Sequence, residues 1–91
     1  MAHERYVVRL APSAQRALTD SLPASVAFAA LELINGPLAE RPYVGGSPLR
    51  APFDGLFRAR RGEYRVRYEM EETERRITIL RIGHRRDVYR T

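Results

Sequence analysis

The run Glu63–Met70 constrains this chain more than any other segment, because Tyr64, Val66, Tyr68 and Met70 alternate with Arg65, Arg67 and Glu69. A two-residue period puts the apolar set on one face of a β-strand and the charged set on the other. Strand-like runs flank it, Leu56–Arg60 before and Arg75–Ile82 after, the latter with Thr78, Leu80 and Ile82 expected on one face. Arg61-Gly62 reads as the first turn and Glu72-Thr73-Glu74 as the second. Those turns set Arg58 opposite Arg65, Arg60 opposite Glu63, Arg65 opposite Arg81 and Val66 opposite Leu80. The charged face then collects Arg58, Arg60, Arg65, Arg67 and Arg81. A one-residue slip would drive arginines into the core, so the choice of face is firmer than the pairing.

Upstream, Arg5–Leu10 alternates with Tyr6, Val8 and Leu10 on one side and reads as a first strand. Pro12 opens a helix at a position where its missing N–H costs nothing, and Ala14, Ala17 and Leu18 share one side of it. Asp20–Pro23 breaks that helix. A second, starting between Ser21 and Ser25, carries a stripe of Val26, Ala27, Ala30, Leu31 and Ile34 until Asn35-Gly36-Pro37 ends or kinks it. Residues 40–52, with two glycines and three prolines, read as a loop. The order β-α-α-β-β-β predicts an α+β fold, one largely antiparallel sheet with two helices packed on one face.

At 91 residues and 44% hydrophobic, the chain is expected to form one domain over its whole length, with every apolar stripe committed to a single core. There is no cysteine, which leaves neither a disulfide framework nor a thiolate zinc site and suits a reducing compartment. No apolar run approaches the roughly 20 residues that span a bilayer, and the N-terminus does not read as a signal peptide. A cytoplasmic protein without membrane contact is expected.

The net charge is +5, and all sixteen basic residues are arginine. Residues 1–49 hold four Arg against four Asp or Glu, and residues 50–91 hold twelve against seven, so the whole excess lies in the second half. A solvated basic surface and a footprint for a polyanion both fit that imbalance. The arginine face separates them. Like charges directly opposite one another destabilise a sheet, and an anion bridging the guanidinium groups reverses that effect, unless Glu63 and Glu69 neutralise the cluster locally. Planar arginine is suited to clamping phosphate.

Gly36-Pro37-Leu38, Pro48-Leu49, the run Gly55-Leu-Phe-Arg-Ala-Arg-Arg-Gly-Glu-Tyr-Arg-Val-Arg-Tyr68-Glu and the tail Gly83-His-Arg-Arg-Asp-Val-Tyr89-Arg resemble the RelE/ParE superfamily of type II toxins. The likeness is strongest over residues 55–90, and the tail favours the RelE ribonuclease branch over the ParE gyrase-poison branch. The resemblance implies cleavage of mRNA in the ribosomal A site. It also implies partners: the ribosome with its mRNA, and a RelB-like antitoxin with an acidic C-terminal segment, the toxin being monomeric alone and hetero-oligomeric with its antitoxin. By position, Arg58 and Arg60 match the two basic residues of the first hairpin strand, Arg65 the phosphate-binding arginine, Arg85 the arginine after the final strand, and Tyr89 the C-terminal aromatic. Many relatives carry lysine on the first hairpin strand, where it has been considered as the general base; here both positions are arginine, which does not deprotonate in proteins. Arg67 stands at an outward position that is often apolar, either an extra phosphate contact or a solvated side chain.

RNA brings its own nucleophile, the 2′-hydroxyl beside each phosphate, so the reaction needs no metal. None is expected, because His3 and His84 are the only histidines and no carboxylate cluster accompanies them. Arg65 and Arg85 are expected to stabilise the developing charge, with Arg58, Arg60, Arg67 and Arg81 binding RNA. Tyr89 and His84 are the candidate bases, since neighbouring arginines lower the pKa of both a phenol and an imidazole. Tyr89 also suits stacking on a base, and His84 also suits a capping role after Gly83. Tyr64 and Tyr68 have core parity and read as packing residues, Tyr43 has no assignment, and Glu69, Glu71, Glu72 and Glu74 read as a solvated hairpin tip. A gyrase poison without chemistry and an inert RNA-binding domain are the rival readings.

Overall fold

In a computed structural model, residues 5–49 and 55–84 are described. Five strands form one sheet in the order β1-β5-β4-β3-β2, with β1 Val7–Leu10, β2 Ser47–Pro48, β3 Leu56–Arg61, β4 Tyr64–Glu71 and β5 Arg76–His84. All pairings are antiparallel except β1 with β5. The helices α1 Pro12–Arg16, α2 Ala24–Leu33 and α3 Pro42–Gly45 lie in the long β1–β2 connection. The α+β architecture is as the sequence implies, with two additions. Residues 42–48, expected as loop, contain α3 and the short edge strand β2.

Alternation in β4 decides where the core sits. Tyr64, Val66 and Tyr68 are buried, and with Ala59, Ile77, Ile79 and Ile82 they meet Ala14, Ala17, Ala30, Leu33, Ile34 and Leu38 from the helices. Small residues on the inner side of α2, Ala27 and Ala30, let its backbone lie close over the sheet. Both helices end in a wider π-turn, Ala17–Ser21 and Ile34–Leu38. In the first, Leu22 N–H donates to Ala17 O five residues back at 2.9 Å. In the second, Pro37 has no N–H to continue the four-residue ladder, so the helix widens instead of stopping at Asn35-Gly36-Pro37.

The hairpins correct the expected pairing. The first turn is Gly62-Glu63, with Gly62 at φ +55, which sets Arg61 opposite Tyr64, Arg60 opposite Arg65 and Arg58 opposite Arg67. Arg60 therefore does not face Glu63, nor Arg58 Arg65. Moving the turn by one residue shifts the pairing by two positions and leaves each face unchanged, which is why the face was legible and the partners were not. The second turn spans four residues, Glu72–Arg75, and closes on Arg75 at φ +50. A β-bulge then falls at Leu80, between the pairs Tyr68–Ile79 and Arg67–Arg81. Before the bulge Ile77 and Ile79 face the core, not Thr78 and Leu80; after it Ile82 does, opposite Val66. The extra residue lets isoleucines spaced two and then three apart reach one core.

Candidate nucleic-acid interface

The sheet face turned away from the helices is built in rungs, each a row of residues in register across neighbouring strands about 4.8 Å apart. The first rung is Arg60, Arg65 and Gly83. The second is Ser47, Arg58, Arg67 and Arg81. The third is Leu56, Glu69, Thr78 and Arg9, and the fourth holds Glu71, Arg76 and Val7. All five arginines of the first two rungs project from one face: Arg58, Arg60, Arg67 and Arg81 are exposed and Arg65 is half-buried. None of the five makes a hydrogen bond or an ion pair with a carboxylate among the described residues.

That lack of partners bears on energetics. Carboxylates do find arginines elsewhere: Glu71 pairs with Arg76 at 3.2 Å, and Glu40 with Arg5 at 3.0 Å. On the first two rungs, by contrast, Arg60–Arg65, Arg58–Arg67 and Arg67–Arg81 are directly opposite like charges. Each such pair costs a few tenths to about 1 kcal/mol. Local neutralisation by Glu69 does not occur, since that residue stands one rung away, opposite Leu56 and Thr78. Folding alone would not select such a surface, whereas an anion laid across it removes the penalty.

The other candidates are placed unevenly. His84 closes β5 in register with Tyr64, one position out of step with the arginine rungs. Arg85 and Tyr89 lie outside the described residues. Tyr64 and Tyr68 are core residues: Tyr64 Oη donates to Ala29 O at 3.1 Å and Tyr68 Oη to Pro42 O at 2.6 Å. Burial raises the Tyr64 pKa, partly offset by Arg61 and reinforced by Glu32, and burial pushes Tyr68 up to about 12. Neither offers a phenolate near neutral pH. Phe57 stacks on Tyr68 at 5.5 Å, and Tyr43 meets Phe57 edge-on at 6.3 Å while its hydroxyl donates to Glu72. Ser47 is a member of the second rung that sequence reasoning missed. A two-residue strand is too short to show alternation, and the glycines and prolines around it hid the element.

On the opposite, helical side of the sheet, a groove of about 450 Å³ opens between Glu32, Pro37, Arg61 and the Gly62-Glu63 turn, and none of the five rung arginines lines it. Among the described residues no group of three or more His, Cys, Asp or Glu could hold a metal ion. No described helix is long and apolar enough to cross a membrane.

Residues 3–89 match a family model described as the ParE toxin of the type II toxin–antitoxin system parDE. Toxin RelG of Mycobacterium tuberculosis is 40% identical over 85 residues, covering 93% of this chain and 97% of RelG. Toxin RelE of the same organism is also 40% identical over 85 residues, covering 93% and 87%. Among solved structures, the toxin–antitoxin complex RelBE2 of M. tuberculosis contains a chain that superposes with a TM-score of 0.85 at 37% identity, over 92% of this chain and 95% of that one. The archaeal RelE–RelB complex of Pyrococcus horikoshii matches at 0.64 and 27% identity, over 96% and 99%. Family model, relatives and fold agree over nearly the full length: the chain belongs to the RelE/ParE superfamily of toxins from type II toxin–antitoxin systems, and within it to the RelE/RelG type.

Proposed function

We propose that this toxin is a ribosome-dependent endoribonuclease that cleaves mRNA in the ribosomal A site and is restrained by a RelB-like antitoxin. The observation that carries the reading is the face of five arginines without carboxylate partners among the described residues. Phosphodiesters supply the missing anions there. A cytoplasmic location, where translating ribosomes are, goes with the reading. The relatives named RelE and RelG support the class of toxin, and the solved RelBE2 and RelE–RelB complexes support an antitoxin partner.

In the reaction, the 2′-oxygen attacks the adjacent phosphorus, its proton passes to a base, and the bond to the 5′-oxygen breaks as that oxygen takes a proton from water. The products are a 2′,3′-cyclic phosphate, which water opens to a 3′-phosphate, and a 5′-hydroxyl. Arg65 and Arg85 stabilise the negative charge that builds on the phosphorane, while Arg58, Arg60, Arg67 and Arg81 hold the strand. The chain contains no lysine, so the proton goes to Tyr89, to His84 or to a group of the ribosome. Tyr89 is favoured, because arginines beside a phenol stabilise its phenolate.

Single-turnover cleavage of ribosome-bound mRNA tests this. General-base catalysis contributes about 10²–10⁴-fold, so Tyr89→Phe should lose a rate factor in that range and His84→Gln much less. The reverse pattern would make His84 the base and Tyr89 a stacking residue. The ParE description of the matching family model favours a second reading, a gyrase poison without chemistry. Inhibition of supercoiling together with an absence of new 5′ ends in translated mRNA would replace the nuclease reading with that one.

A further inference from the structure

The arginine face has a definite length, set by Glu69. Along β4 the outward residues run Arg65, Arg67, Glu69, Glu71, so the charge changes sign between the second and third rungs. Successive rungs are two strand residues apart, about 6.8 Å, close to the reach of one nucleotide unit in a stretched single strand. The first rung gathers two guanidiniums and the second gathers three, spread across β3, β4 and β5 over about 10 Å. At the third rung the centre of the face holds Leu56, Glu69 and Thr78. Arg9 stands only at the far edge, on β1, and Glu69 is exposed with no ion-pair partner among the described residues. The fourth rung offers nothing more to an anion, because Arg76 is already held by Glu71.

We infer that the face takes two consecutive phosphates of a single RNA strand running along β3–β5, and that Glu69 is the specificity-determining residue that turns the next phosphate away. The inference rests on the ribonuclease reading and adds what that reading lacks, the site size and the residue that sets it. A third phosphate continuing along the strands would meet an uncompensated carboxylate, so the backbone must leave the sheet after the second rung. That departure is where the strand bends. Glu69 acts on the path of the RNA and touches neither the 2′-hydroxyl nor the scissile phosphorus.

The test uses the full chain and 2′-O-methyl RNA oligonucleotides, which lack the nucleophile, carrying from one to four phosphates. Binding is followed by fluorescence anisotropy across a salt series for the parent, Glu69→Gln and Glu69→Arg. Each phosphate neutralised on a single strand steepens the log–log salt slope by about 0.7. Glu69→Arg should steepen it by that amount for oligonucleotides of three or four phosphates and leave those of one or two unchanged. Glu69→Gln should tighten binding of the same longer oligonucleotides, to a smaller extent. A gain shared equally by all lengths, or no gain at any, would overturn the two-phosphate limit while leaving the nuclease reading in place. Failure of the parent to bind any of the oligonucleotides, together with unaltered cleavage in Arg67→Ala, would overturn both.

Discussion

Tyr68 shows how one buried polar group ties the site to the fold. Its ring lies at the centre of the core and its hydroxyl donates to Pro42 O at the start of α3. That bond anchors the segment carrying β2, and with it Ser47, against the second rung. The approach is close: a Cβ on Gly46 would lie 2.8 Å from Arg58 O and nearer still to the Tyr68 hydroxyl. The folded phenol keeps its proton to about pH 12, whereas the unfolded chain releases it near 10. Between those values only the unfolded state loses a proton, so the contribution is complete below pH 10 and is lost as pH rises through 12. Tyr68→Phe should cost about 1–3 kcal/mol at neutral pH, through the buried carbonyl left without a donor, and should flatten the alkaline decline. Denaturant melts at pH 7 and pH 11 check both parts; an alkaline decline as steep as the parent's would assign it to another group. The arginines behave in the opposite way. Arg65→Ala and Arg67→Ala each remove a like-charge neighbour from the face turned away from the helices, so thermal midpoints should hold or rise while cleavage falls, most of all for Arg65→Ala. A large drop in midpoint would mean that the side chain supports the core.

Among the elements, β5 carries the most information about how sequence becomes surface. The bulge at Leu80 is an inserted residue: without it Ile79 is followed by Arg81 and Ile82 in plain alternation, with Tyr68 still opposite Ile79 and Arg67 opposite Arg81. Deleting Leu80 should therefore leave a folded chain whose thermal midpoint shifts by a few degrees. Deleting Arg67, across the ladder, reverses the parity of Tyr68 relative to Val66 and should abolish folding. Equal damage from both, measured by circular dichroism and melting, would mean that Leu80 is not the supernumerary residue. Legibility in the sequence follows the same physics. The alternation of β4 and the parity of its arginines were readable, because burial of one face forbids any other choice. The pairing was not, because Arg61-Gly62 and Gly62-Glu63 are both acceptable turns and preserve the same faces. The spacing of Ile77, Ile79 and Ile82 held the trace of the bulge, yet Thr78, Leu80 and Ile82 fit strict alternation equally well. Nothing in Ser47-Pro48 announces a strand, which forms only because β3 offers it an edge.

At the scale of the molecule, charge is polarised along the sheet, with arginines toward the Gly62 turn and carboxylates toward the β4–β5 turn, where Glu71, Glu72 and Glu74 are exposed. A partner that covers the arginine face needs negative charge, and an acidic segment ordering as it binds supplies it. The toxin–antitoxin complex should therefore weaken steeply between low and high salt in a titration. Affinity independent of ionic strength would point to an apolar contact, with the exposed Phe28 and Leu31 of α2 the place to look. The parallel pairing of β1 with β5, in which Val7 registers with Arg76 and Leu10 with Ile79, also has a consequence in time. Strand β1 must wait for β5 before it has a neighbour, and contacts so distant in sequence form slowly. Until β5 is in place the sheet thus lacks its β1 edge, since β1 has no other neighbour among the described strands. Because β5 carries Arg81 and also receives β1, closing that edge of the sheet and completing the charged face are one event in folding.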